Sequence, residues 1–107
     1  MSFGMGNVNL IPVIVMDFYS KEVLMLSYVD ELCFKLSLRT GIAHYWSRGR
    51  ACVWVKGASS GNLHVIQAVR MDCGAKSLCF DVLVLGDGLS CHTRRPSCFY
   101  RTIWKRG

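Results

Sequence analysis

Apolar residues in this chain fall in short β-branched runs separated by polar, glycine-bearing stretches, a pattern of strands and turns. Residues 10–18 (LIPVIVMDF) form one such run and residues 22–28 (EVLMLSY) the next. The short link Tyr19-Ser20-Lys21 predicts that the two pair as a hairpin. Asp30 then predicts the N-cap of a helix reaching about Arg39, with Leu32, Leu36 and Cys33 on its buried side. Gly41, after Thr40, supplies the left-handed stop. Residues 42–47, 51–56, 64–71 and 77–85 read as further strands, joined by Arg48-Gly49-Arg50, by the loop GASSGN at 57–62 and by a turn at Gly74. Beyond Gly86-Asp87-Gly88 the segment 91–101 is polar, basic and cysteine-bearing. The expectation is one strand-rich α+β domain over residues 10–107 with one main helix, preceded by a mobile lead-in at residues 1–9.

Composition narrows the possibilities. At 107 residues and 51% hydrophobic content, the chain is one folding domain, too apolar to be disordered. A domain so small and so apolar is expected to bury surface in a partner, most simply a second copy. The formal charge of +6 favours an anionic ligand. No Lys or Arg precedes Lys21, so a signal peptide's basic segment is not apparent, and the longest apolar stretch, residues 10–16, is too short to span a bilayer. The reading is a cytoplasmic protein whose six cysteines stay reduced and serve as core or as ligands.

Cys91 and Cys98 frame CHTRRPSC, where His92, Thr93, Arg94 and Arg95 surround two potential thiolates with polar and cationic groups. Cys73 follows a strand and meets the turn at Gly74, which makes it the natural third ligand. Three thiolates around zinc leave one tetrahedral position for water. The spacing alone leaves metal binding and ordinary cysteine at even odds. Cys33, Cys52 and Cys79, inside apolar segments, read as core. The loop GASSGN carries two hydroxyls and unhindered amides suited to phosphate, and HYWSRGR at 44–50 gathers a histidine, a hydroxyl and two arginines. Read alone, both are more often ordinary turns, and His44 and His64 ordinary structural histidines.

Together LIPVIV, EVLMLSYVDE, TGIAHYWSRGR, KGASSGN, RMDCG and CHTRRPSCFYR resemble the phosphoribosyl-AMP cyclohydrolase family, in the family's order and over residues 10–101. The resemblance implies a zinc-dependent hydrolase of histidine biosynthesis that opens the adenine ring of phosphoribosyl-AMP. It also implies an intertwined homodimer whose zinc is held by Cys73 of one subunit and by Cys91 and Cys98 of the other. It makes His92 a candidate proton shuttle and places His44, Ser47, Arg48, Ser59, Ser60, Gly61 and Asn62 at the nucleotide site; His92, His44 and Arg95, a cation near the metal, are the catalytic candidates.

The departures fall in the site. The family's Asp-Cys-Asp-x-Asp, which binds magnesium, is here Asp72-Cys73-Gly74-Ala75-Lys76, leaving Asp72 as the one residual ligand for a second cation. The Lys76 ammonium is expected to stand roughly where the magnesium charge stood, with magnesium not required. Arg94 replaces the family's glycine after CHT, and Arg94 and Lys76 join the candidate substrate-binding residues. Two other readings follow: a paralogous zinc hydrolase of another anionic, purine-like heterocycle, and a non-catalytic zinc module. A zinc base deaminase is disfavoured because its HxE and PCxxC signatures are missing, and a nucleic-acid binder because no basic run accompanies Tyr45, Trp46 or Trp54.

Overall fold

A computed structural model describes residues 9–107. The expected lead-in at residues 1–9 lies outside the described residues except for its last position. The hairpin forms as predicted: β1 (Ile11–Asp17) and β2 (Val23–Val29) are antiparallel, with Ile14 opposite Leu26. The Asp17 carboxylate closes their turn by accepting from the Tyr19 and Ser20 amides at 3.0 and 2.8 Å. Helix α1 (Glu31–Thr40) begins where Asp30 accepts from the Cys33 amide at 2.8 Å, and ends at Gly41, whose φ is +76°.

Four shorter or later strands follow. They are β3 (Tyr45–Ser47), β4 (Cys52–Trp54), β5 (His64–Met71) and β6 (Leu78–Val84). The main sheet has the order β2-β1-β6-β5; β1 and β6 are parallel and the other pairs antiparallel. β3 and β4 form a separate two-stranded ribbon. Val13 and Val15 from β1, Phe80 and Val82 from β6, and Met25 and Val29 from β2 share a core with Tyr45 and Cys33. The fold is α+β, with one helix among the described residues.

Two sequence expectations need correction. Leu32 is exposed and Leu36 only half-buried; the helix instead buries Cys33 and Ser37. The Ser37 hydroxyl accepts from the His44 amide at 2.8 Å and donates to the His44 carbonyl at 3.2 Å, so the small buried stripe ties α1 to the segment entering β3. Cys52 is exposed on β4 rather than core, and Cys79 is half-buried. β4 pairs with β3 alone, and three residues cannot cover both faces of a ribbon. No helix among the described residues is long and apolar enough to cross a membrane.

Strand direction gives the main sheet two ends. One carries Asp17, Val82, Val84 and His64; the other carries Leu78 and Met71, followed by the β5–β6 turn. β6 alone separates them by about 20 Å.

Candidate functional site

The first end of the sheet holds a pocket of about 160 Å³ lined by Lys56, Gly57, Ser60, Asn62, Leu89, Ser90, Cys91, His92 and Arg94. Its walls are the loop 57–62 and the chain leaving β6. Asn62 joins the two. Its side-chain amide donates to the Leu89 carbonyl at 3.2 Å, and its Oδ1 accepts from the Asp87 amide at 2.9 Å. The glycines beside it cannot be replaced cheaply. A Cβ at Gly57 (φ +85°) would meet the Asn62 backbone, and one at Gly86 (φ +68°) the Asn62 Oδ1.

The segment 90–98 folds back over this end. The Ser90 and Cys91 amides both donate to the Arg95 carbonyl, at 3.2 and 3.0 Å. Further on, the Cys98 amide donates to Leu24 O at 2.7 Å, and the Ser97 hydroxyl to Val23 O at 2.7 Å. This return brings Cys98 within hydrogen-bonding reach of Cys91. The Thr93 hydroxyl, 3.0 Å from the Cys91 Sγ, leads the groups that lower the Cys91 thiol's pKa, with Cys98 and the Lys56 charge assisting. Burial raises that of Cys98, and its neighbour Cys91 raises it further. One thiol is thus biased toward the anionic form and its neighbour toward the protonated one, as expected for two interacting titratable groups.

Cys73 is elsewhere. It stands exposed on the β5–β6 turn, at the opposite end of the sheet. Among the described residues no group of three His, Cys, Asp or Glu side chains gathers within one chain. Asp72 organises that turn: its Oδ1 accepts from the Lys76 amide at 2.7 Å and the Ser77 amide at 3.1 Å, and these bonds hold its carboxyl below the usual range. The Lys76 side chain is exposed beside it.

Of the residues singled out in the sequence, Ser60, Asn62, Cys91, His92 and Arg94 meet in the pocket, with Cys98 against Cys91. Gly61 closes the loop above it, its amide donating to Gly57 O at 2.8 Å. Ser59 lines a neighbouring recess with Arg50 and Trp54. Arg95 lies over the Tyr100 ring, 4.4 Å from its centroid, and Arg94 pairs with Asp87 at 3.2 Å. His44, Ser47 and Arg48 are on β3 and its approaches: His44 Nδ1 donates to Ile42 O at 2.8 Å, Ser47 Oγ accepts from the Arg50 amide at 3.2 Å, and Arg48 covers Tyr28.

Two polar pocket residues were not anticipated. Lys56 brings a second cation beside Arg94, and KGASSGN contained it as a neighbour of the loop. Ser90 gave no signal of its own, since only contact with His64, 26 positions away, gives it a setting.

The phosphoribosyl-AMP cyclohydrolase family profile matches residues 25–100, a span running from β2 through the returning segment. A phosphoribosyl-AMP cyclohydrolase of Desulfotalea psychrophila is 47% identical over 95 residues, covering 89% of this chain and 74% of its own length. One of Brucella abortus is 48% identical over 99 residues, covering 92% and 83%. The matched span holds every strand and loop that builds the pocket, and on that breadth of identity the chain belongs to the phosphoribosyl-AMP cyclohydrolase family.

Proposed function

We propose that this chain hydrolyses phosphoribosyl-AMP, opening the adenine ring in the third step of histidine biosynthesis, in a homodimer with a zinc site across its interface. The observation that carries the reading is the Cys91–Cys98 pair at the edge of a pocket lined by Lys56, His92 and Arg94. A soft, thiol-rich donor set suits zinc, and zinc held there would supply an acidified water at neutral pH. Cys91 and Cys98 are two ligands, and the Cys73 of a second subunit is the third. The placement of Cys73 at the far end of its own sheet supports this division. Ile14 and Leu26, opposite each other and exposed on one sheet face, supply apolar surface for such a partner.

The other side chains have assignable tasks. Lys56 and Arg94 offer positive charge to a phosphorylated substrate. His92, exposed at the pocket, is placed to give a proton to the departing ring nitrogen. The Arg95 carbonyl holds the Ser90 and Cys91 amides, so Arg95 shapes the ligand loop through its backbone. His44, Ser47, Arg48 and Ser59 border the nucleotide. At the other end, two backbone amides already engage Asp72, and Lys76 sits where a further carboxylate would be needed, so no magnesium is required.

A second reading, a paralogue acting on another anionic heterocycle, is favoured by Arg94, a cation next to the thiol pair. One experiment separates them. Protein with defined metal content is given phosphoribosyl-AMP with zinc present and magnesium either added or chelated, and ring opening is followed by absorbance. Turnover in both conditions is expected. Turnover abolished by magnesium chelation would refute the magnesium-free proposal, and no turnover from zinc-loaded protein would move the assignment to the paralogue.

A further inference from the structure

Beneath the thiol pair runs a buried polar chain that the reading above does not use. Tyr45 and His64 are completely or almost completely buried, as is Ser90. Tyr45 Oη lies 2.7 Å from His64 Nδ1, and His64 Nε2 lies 3.3 Å from Ser90 Oγ. Among the described residues these are the only hydrogen-bond partners of the two hydroxyls.

The direction of the chain follows from counting protons. A buried phenol keeps its proton, and burial raises the Tyr45 pKa further. That O–H has one acceptor, His64 Nδ1, since leaving it unpaired in the core is costly. His64 is neutral, its pKa lowered to about 4 by burial and secondarily by Lys56. With Nδ1 accepting, the imidazole proton sits on Nε2 and donates to Ser90 Oγ. The Ser90 hydroxyl proton is then left over. It has no acceptor among the described residues, and Ser90 lines the pocket beside Lys56 and Arg94.

We infer that Ser90 is a substrate-binding residue whose hydroxyl, set by Tyr45 and His64, donates to an anionic oxygen of the phosphorylated ligand. His64 and Tyr45 are positioning residues. Their effect on the ligand passes entirely through Ser90. The inference rests on the proposed function only for the choice of ligand.

Two measurements test it. Nitrogen-15 NMR of the zinc-loaded wild-type protein at neutral pH reads the His64 tautomer directly and needs no turnover. Nε2–H is expected, and a dominant Nδ1–H form would overturn the inference. The second measurement compares Ser90→Ala, Tyr45→Phe and the double variant, by KM for phosphoribosyl-AMP and by calorimetric affinity for adenosine 5′-monophosphate. Ser90→Ala is expected to weaken both about tenfold with kcat little changed, the size of one hydrogen bond to a charged group. Tyr45→Phe frees Nε2 to accept from Ser90, turning the hydroxyl inward. It is expected to weaken binding a few-fold alone and to add nothing on top of Ser90→Ala. Unchanged binding in Ser90→Ala, or additive effects in the double variant, would overturn the inference. Inactive wild-type protein that shows the Nε2–H tautomer and the same loss of nucleotide affinity would refute the ring-opening reading alone.

Discussion

The two ends of the main sheet are built on opposite principles. At one, Asn62, His64, Ser90 and Cys91 are buried, and backbone or side-chain hydrogen bonds fix each of the first three. At the other, Asp72, Cys73 and Lys76 occupy an exposed turn held by two amide bonds to one carboxylate. The first end is a prepared cavity that still needs a ligand. The second is a small turn that leaves a cysteine exposed, the one that the proposed shared site would take from a second copy. A site shared between copies requires this division, because the half that makes the cavity can be buried before assembly while the half that docks into it must stay accessible until then.

The sharpest way to break the comparison is to damage each end in a different chain. Cys73→Ala and Cys91→Ala are each expected to lose about a thousandfold in activity, the loss of a ligand at a catalytic metal. If the ends belong to one shared site, mixing and re-equilibrating the two inactive proteins restores about a quarter of wild-type activity, because half the dimers then carry one intact site of two. Titration of bound zinc gives a second readout of the same recovery. No recovery, with mixed dimers demonstrated by mass spectrometry, would show that each chain completes its own site.

Next in size is the cavity itself. Gly86 has φ +68°, and an added Cβ would meet the Asn62 carboxamide that joins the two walls. Gly86→Ala is expected to cost about 2–4 kcal/mol, from the left-handed backbone together with the displaced amide. Equilibrium denaturation checks this. The change Gly74→Ala at the other end meets nothing closer than 3.9 Å, and Gly74 is not among the positive-φ glycines, so it is expected to be nearly neutral. Equal costs at the two glycines would erase the contrast.

Acid sharpens it from another side. His64 is held down to about 4 in the fold, first by burial and then by Lys56, against about 6.5 unfolded. Between these values the unfolded chain binds the extra proton. The stabilisation is therefore complete above about pH 6.5 and is lost as pH falls toward 4, by about 3 kcal/mol in all. Denaturation midpoints at pH 7, 5.5 and 4.5 should show that decline in the wild type and a much flatter one in His64→Gln. A decline of equal size in both would place the acid sensitivity elsewhere.

Much of this was legible in the sequence. Asp30 and Gly41 fixed the helix ends, and alternation with short polar links located the hairpin and both long strands. The buried face of the helix was not legible. Leu32 is the hydrophobic choice, yet the structure buries Ser37, whose value lies in two bonds to His44 that no helical periodicity encodes. The same holds in the pocket. CHTRRPSC announced its cysteines, whereas Ser90 and His64 gained meaning only when β5 and the chain after β6 were brought together. Motifs reveal groups whose chemistry is unusual. They say little about ordinary groups made important by what they touch.

Arg94 gives the smallest effect and the most informative sign. It sits at φ +62°, a conformation costly for a residue with a Cβ, in the position where the family's pattern has glycine. Its ion pair with Asp87 is well exposed on both sides and stabilises little. Stability alone thus argues for glycine, and Arg94→Gly is expected to raise it by up to about 1 kcal/mol, read as a higher Tm. Binding argues for arginine, because Arg94 lines the pocket beside Lys56 and His92. The same variant is expected to raise KM for the phosphorylated substrate several-fold with kcat retained, since a cation that holds the substrate equally before and during reaction acts on binding alone. A higher Tm with unchanged KM would leave the strain at Arg94 without a function. A higher Tm with weaker binding would show the cavity end holding a strained cation for the ligand's sake, whereas Ala75, at φ +55° in the β5–β6 turn, carries similar backbone strain without a charge to offer.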